Sequence, residues 1–221
     1  MKKIILSACT LLIAFGVSAQ TTEAEGALKK QSTDTLDGWK TGGVFSLNLT
    51  QTSLTNWSAG GQNSISVNGL LSVFANYTKG KSSWDNSLDL GYGLLQQGDD
   101  DVRKTDDRID FTSKYGRKAA KNWYYAALVN FKSQMTAGYN YPDDSTEISN
   151  FLAPGYVLGA LGMDYKPSDK FTLFVAPATV KMTIVNDEDL ANAGAFGVDA
   201  AVYDDFGTVS YTHLTLPTTR L

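Results

Sequence analysis

From Gly43 onward apolar and polar side chains alternate with a period of two, the spacing of strands that separate two environments. Over 63–79 the odd positions Ile65, Val67, Leu71, Val73, Ala75 and Tyr77 are apolar, against Ser64, Ser66, Asn68, Ser72 and Asn76. Over 83–96 the even positions Trp84, Leu88, Leu90, Tyr92 and Leu94 oppose Ser83, Asp85, Ser87, Asp89, Gly91 and Gly93. Over 108–115, Ile109, Phe111 and Tyr115 oppose Arg108, Asp110, Thr112 and Lys114. Over 122–136, Trp123, Tyr125, Ala127, Val129, Phe131 and Met135 oppose Asn122, Asn130, Lys132, Gln134 and Thr136. Weaker alternation predicts strands over 43–52, 155–166, 171–185 and 196–203. No segment carries a helical period of useful length. The pattern predicts an all-β domain of about eight strands.

The connections alternate too. Those at 79–82, 116–121 and 166–170 are tight, whereas 53–62, 97–107, 137–154 and 186–195 are long and polar. Such alternation puts every long loop at one end of an antiparallel up-and-down meander, as in outer-membrane barrels. Aromatics flank each tight turn: Tyr77 and Trp84, Tyr115 and Trp123, Tyr165 and Phe171. All six share the parity of their strand's apolar residues, as an interfacial aromatic girdle requires. Aromatics also favour strands in general and cap soluble sandwiches, but that does not explain the shared parity. The strands exceed the ~9–11 residues that cross a bilayer at a tilt. The fold expected over 43–208 is therefore an up-and-down β-barrel of outer-membrane type.

Residues 1–19 read as a signal peptide: Lys2-Lys3, an apolar run over 4–17, then Val17-Ser18-Ala19 before Gln20. Leu6-Ser7-Ala8-Cys9 resembles a lipoprotein leader, but the apolar run continues well past Cys9, which favours cleavage after Ala19. No later segment approaches the apolar run of a membrane helix, so a bilayer would be crossed by strands. Residues 20–42 read as a flexible lead-in, polar and aperiodic through most of their length. Setting aside Lys2, Lys3 and Arg220 takes the formal net charge from -4 to -7 over 20–208. An acidic body without a basic stripe speaks against nucleic-acid binding. The chain has 1 Cys and 1 His, and both fall outside the expected domain. Zinc sites, cysteine nucleophiles and serine–histidine triads lose their essential side chains.

The decapeptide Val209-Ser210-Tyr211-Thr212-His213-Leu214-Thr215-Leu216-Pro217-Thr218 resembles one translated frame of a transposon-end sequencing adapter. On that reading 209–221 is a non-native tail, and the barrel is C-terminally truncated with more strands to follow. The body resembles a Bacteroidota family known only as a domain of unknown function and expected to be outer-membrane proteins. The likeness rests on Leu54-Thr55-Asn56-Trp57-Ser58-Ala59-Gly60-Gly61, on Ala176-Pro177 with Lys181 and Thr183, and on Gly194-Ala195-Phe196-Gly197-Val198. It spans roughly 38–207 and implies no catalytic residues.

The charges of inward parity are Asp85, Asp89, Arg108, Asp110, Lys114, Lys132, Asp164 and Lys166. They could line a polar lumen and set ion selectivity, or pair across strands and fill a narrow interior. The second is favoured for a small barrel. Asp99-Asp100-Asp101 with Asp106-Asp107, and Asp143-Asp144 with Glu147, lack calcium-loop spacing and read as solvated loops. Gly80-Lys81-Ser82 lacks the upstream glycine and the helix of a phosphate loop. The expectation is a non-enzymatic outer-membrane barrel of structural or passive, porin-like duty, with no cofactor or metal. Its partners would be outer-membrane lipid, the barrel-assembly machinery and an unidentified small solute. Two alternatives are a soluble periplasmic barrel or sandwich holding a small apolar ligand, and, last, an outer-membrane hydrolase using Asp85 and Asp89.

Overall fold

The computed structural model describes residues 37–55, 61–168 and 171–198. Seven long strands form one antiparallel sheet: β1 (Gly38–Thr52), β2 (Ser64–Lys79), β3 (Ser82–Gln97), β4 (Arg103–Lys118), β5 (Trp123–Ser133), β8 (Gly155–Ser168) and β9 (Phe171–Ile184). Their order is β1-β2-β3-β4-β5-β8-β9, the predicted up-and-down meander. β6 (Gly138–Tyr139) and β7 (Glu147–Ser149) make a small hairpin inside the β5–β8 connection. Among the described residues β1 pairs with β2 alone and β9 with β8 alone, so the sheet is open at both sides. The leader over 1–19, the lead-in up to 36, Asn56–Gly60 and the tail over 209–221 lie outside the described residues.

Four boundaries differ from the sequence expectation, each for a local reason. β1 starts at Gly38, inside the segment read as lead-in, because Trp39 pairs with Tyr77 and its ring lies 5.2 Å from Tyr77 and 5.8 Å from Trp84. β4 starts at Arg103 although 103–107 are all polar. A bulge opposite Gly93 and Leu94 shifts its register there, which erases the alternation. β5 stops at Ser133, short of the predicted 136. Beyond it the Met135 and Thr136 amides donate to the Asp107 carboxylate, at 2.7 and 3.0 Å, rather than to a strand. The predicted strand over 196–203 does not begin where expected. Gly194, Phe196 and Gly197 have φ of 68, 58 and 76°, a left-handed turn that extended backbone excludes, while 199–203 lie outside the described residues.

The loop over 186–195 contains one helical turn, α1 (Glu188–Asn192), too short to leave a helical period in the sequence. Asp187 caps it by accepting the Leu190 amide at 3.0 Å, and Glu188 and Asp189 fill the first turn. Beneath α1, Ala153, Val185, Ala191 and Val198 form a small buried cluster with Leu190 against it.

A second bulge lies between β8 and β9. Leu161 faces Ala178 and Met163 faces Val175, so Ala176 and Pro177 together oppose Gly162. Proline, which has no N–H to donate, sits where the ladder asks for none. Gly162 is pressed against this bulge: a Cβ there would collide with the Val175 carbonyl oxygen and stand 2.6 Å from the Ala176 Cα. Gly159, three residues earlier, has nothing within 4 Å of a Cβ. Gly162→Ala should therefore lower stability by about 1–3 kcal/mol or more through backbone overpacking. Gly159→Ala should be neutral or stabilising by under about 1 kcal/mol. Urea midpoints of the two variants check this, and equal midpoints would contradict the packing argument.

Candidate functional site

Register carries each side chain's parity across the whole sheet. Trp39 faces Tyr77, Tyr77 faces Trp84, Trp84 faces Tyr115, and farther along Trp123 faces Tyr165. Five of the six predicted girdle aromatics thus stand, with Trp39, in rows at the tight-turn end of one face. The sixth, Phe171, starts β9 on the same face and is half exposed. Trp39 was missed because it fell in the presumed lead-in. Phe45, Leu47, Leu49, Val67, Phe111, Val129, Leu161 and Val175 continue this face toward the long loops. All but Val102, Ile148, Phe151 and Phe196 of the exposed large hydrophobics lie on it. Three polar groups on that face are linked: Trp84 Nε1 donates to Ser113 Oγ at 2.8 Å, and Ser113 Oγ to Asn86 Oδ1 at 2.7 Å.

The opposite face is polar, and the same registers place all eight predicted charges on it. Asp85 faces Lys114, Asp89 faces Asp110, Arg108 faces Gly91, Asp110 faces Lys132, and Asp164 faces Tyr124. The ion pairs are not simply the register pairs. Lys114 on β4 passes over β5 to Asp164 on β8, Nζ to Oδ2 2.6 Å, and lies 4.5 Å from the Phe174 ring centroid on β9. Strands stand ~4.8 Å apart, so contacts across two and three strands require the sheet to curl toward its polar face. Lys166 also reaches Asp164, at 3.7 Å, and Lys132 reaches Asp110 at 3.0 Å. Asp89 accepts a short hydrogen bond from Ser72.

Small residues let this face close over its backbone. A Cβ on Gly91 would meet Asp106 Oδ2 at 2.8 Å and Arg108 Nε at 2.9 Å, and one on Gly93 would meet Thr105 and Asn68. A recess of about 280 Å³ remains between Phe74, Asn76, Asp85, Ser87, Thr112 and Lys114. Ion pairs cross strands at Lys114–Asp164 and Lys132–Asp110, while Lys166 reaches Asp164 within β8.

At the long-loop end Asp107 is the organising group. It accepts from Lys104 Nζ at 2.7 Å and from the amides of Met135 and Thr136, while Lys104 also donates to the Thr136 carbonyl at 2.8 Å. Farther out, Ser145 and Thr146 donate to Asp143 and hold its carboxyl well below the usual range. Glu147 beside Tyr139 adds to desolvation in raising that phenol. Among the described residues no group of three or more His, Cys, Asp or Glu could hold a metal ion. No described helix is long and apolar enough to cross a membrane, which says nothing of strands.

The two pairs predict different costs. The Asp164 side chain is 2% exposed and depends on Lys114, so Lys114→Met strands a buried carboxylate and should cost about 3–5 kcal/mol less whatever Lys166 recovers. Lys132 is 56% exposed, and Lys132→Met should cost about 1 kcal/mol or less. Denaturation of both variants tests the contrast. Restoration of stability by adding Asp164→Asn to Lys114→Met would tie the loss to the stranded charge.

A family model described as "Protein of unknown function (DUF3078)" matches residues 49–139. No curated protein and no solved structure matches the chain. The matched segment runs from the end of β1 through β6, takes in Leu54–Gly61 and ends before Ala176-Pro177, so over 49–139 the chain is similar to an uncharacterised family.

Proposed function

We propose that this sheet is part of the wall of an outer-membrane β-barrel with a structural or passive, porin-like role. The observation that carries the reading is an inverted distribution of side chains. Leu161 is 61% exposed and Phe45 69%, whereas Asp164, three residues from Leu161, is 1% exposed. In water a contiguous apolar face of this extent is a liability; in hydrocarbon it is the favourable outside, with the ion pairs turned to a polar interior. The size of the belt agrees. Trp84 to Leu94 is ten residue steps, which at about 3.3 Å each and a tilt of about 45° spans about 23 Å. The apolar band of such barrels is ~25 Å tall.

On this reading the open ladders of β1 and β9 need strand partners, because hydrocarbon offers none. The barrel-assembly machinery and outer-membrane lipid are its partners, and export through a cleaved leader in a Bacteroidota envelope rests on the sequence. The polar face holds the solute, if one passes, and the reading gives this face no catalytic step.

A substitution separates lipid from water. Val129 is 47% exposed midway along the apolar face. In water Val129→Arg would shift stability by about 0.5 kcal/mol or less, whereas near a bilayer midplane it costs about 2–4 kcal/mol. The protein folded in vesicles should show heat-modifiable gel mobility and the larger cost. A tolerated arginine, with full mobility reached without heating, would overturn the membrane reading.

A further inference from the structure

The two ends of the sheet differ in charge as well as in loop length. Among the described residues the long-loop end carries Asp99, Asp100, Asp101, Asp143, Asp144 and Glu147, and its cations Arg103 and Lys104 are tied to Asp100 and Asp107 at 2.6 and 2.7 Å. The tight-turn end is the reverse. Beyond the aromatic rows it carries Lys79, Lys81, Arg117, Lys118 and Lys121, all exposed and none ion-paired to a described carboxylate, while Asp37 is the one described acid there. Lys166 is drawn back to Asp164.

Two of these cations are placed, not scattered. Lys79 follows Tyr77 by one pleat on the apolar face, and Arg117 follows Tyr115 in the same way. Ser82 on β3 is the register partner of both, Lys79 on one side and Arg117 on the other. Tyr115 Oη donates to Ser82 Oγ at 3.2 Å, which leaves the serine proton to donate elsewhere. The row is cation, hydroxyl, cation across about 10 Å, one pleat beyond Trp84 and Tyr115. Lys81 and Lys118 flank it, and the Lys118 amide donates to the Lys81 carbonyl at 2.7 Å, which holds the two turns together. Ammonium, hydroxyl and guanidinium donors standing in one row beside an aromatic girdle suit a phosphate that stands at headgroup depth.

We propose that Lys79, Ser82 and Arg117 form a binding site for the phosphate of an anionic phospholipid in the leaflet at the tight-turn end. The site rests on the membrane reading above and goes beyond it by naming the lipid class and the leaflet. Its source is the bilayer: the row opens onto the lipid-facing side of the sheet, in line with the rings that lie against the acyl chains.

The test uses the full chain folded in phosphatidylcholine vesicles with a minority of phosphatidylglycerol, one lipid brominated at a time. Quenching of Trp84 and Trp39 reports which lipid stands next to the row. Brominated phosphatidylglycerol should quench beyond its mole fraction, with an enrichment of about fivefold for each cation that engages. The excess should fall with salt, vanish in Lys79→Gln/Arg117→Gln and survive in Lys79→Arg/Arg117→Lys, with heat-modifiable mobility unchanged throughout. Quenching by each lipid in proportion to its abundance would overturn the site while leaving the barrel intact, as would an excess retained by the double glutamine variant. Loss of the excess to inorganic phosphate at constant ionic strength would reassign the row to a free anion and overturn the lipid assignment. No quenching by either lipid would remove the membrane reading and the site together.

Discussion

Everything in this molecule depends on register. Successive side chains of a strand point to opposite sides of the pleat, so one slipped residue would exchange the two faces of that strand. Across six ladders the pairing holds apolar against apolar: Leu49 to Val67, Val67 to Leu94, Leu90 to Ile109, Phe111 to Phe131, Val129 to Gly159 and Val157 to Met182. The count breaks at Gly93/Leu94, at Gly162 and between Tyr165 and Ser168, and a bulge or irregularity absorbs the extra residue there. A hydrophobic core in the usual sense hardly exists among the described residues. Its nearest equivalent is the handful of small side chains under α1.

Alternation made most of this legible. Strands β2, β3 and β5, the tight turns, and the shared face of the aromatics that flank them follow from parity alone. So does the common face of the eight charges, since Asp85, Lys114 and Asp164 keep the polar phase of their strands. What parity could not show is reach. Nothing in the sequence says that Lys114 prefers Asp164 to its register partner Asp85, because that choice depends on how far the sheet curls. Nor could it show strand built from polar residues: 103–107 carry no apolar phase, and a bulge at Thr105 within them shifts their register against β3. Trp39 was within reach of the same reasoning, since it shares the odd parity of Phe45 and Leu47. The helical turn at Glu188 was signalled only by its Asp187 cap.

The two polar regions use charge differently. On the sheet, opposite charges are drawn into contact, and Lys114 also covers the Phe174 ring, so the ammonium serves electrostatics and packing at once. At the long-loop end the Asp107 carboxylate replaces a stretch of ladder. It takes two successive amides of the departing chain and a lysine that in turn holds a carbonyl of that chain. A single acid thereby ends one strand and aims the connection toward the β6–β7 hairpin.

The same pleat hides the oiliness of the folded sheet from anything that reads the chain as a line. Every apolar residue of the exposed belt is separated from the next by a polar or small one along most of its strand, and the whole chain averages a mean hydropathy of -0.19. An unfolded copy is therefore nearly as comfortable in water as an ordinary soluble protein. Its contiguous apolar face comes into being only as the strands form and sort their side chains to two sides. A greasy surface that exists only after folding is invisible to anything that meets the chain before its strands have paired.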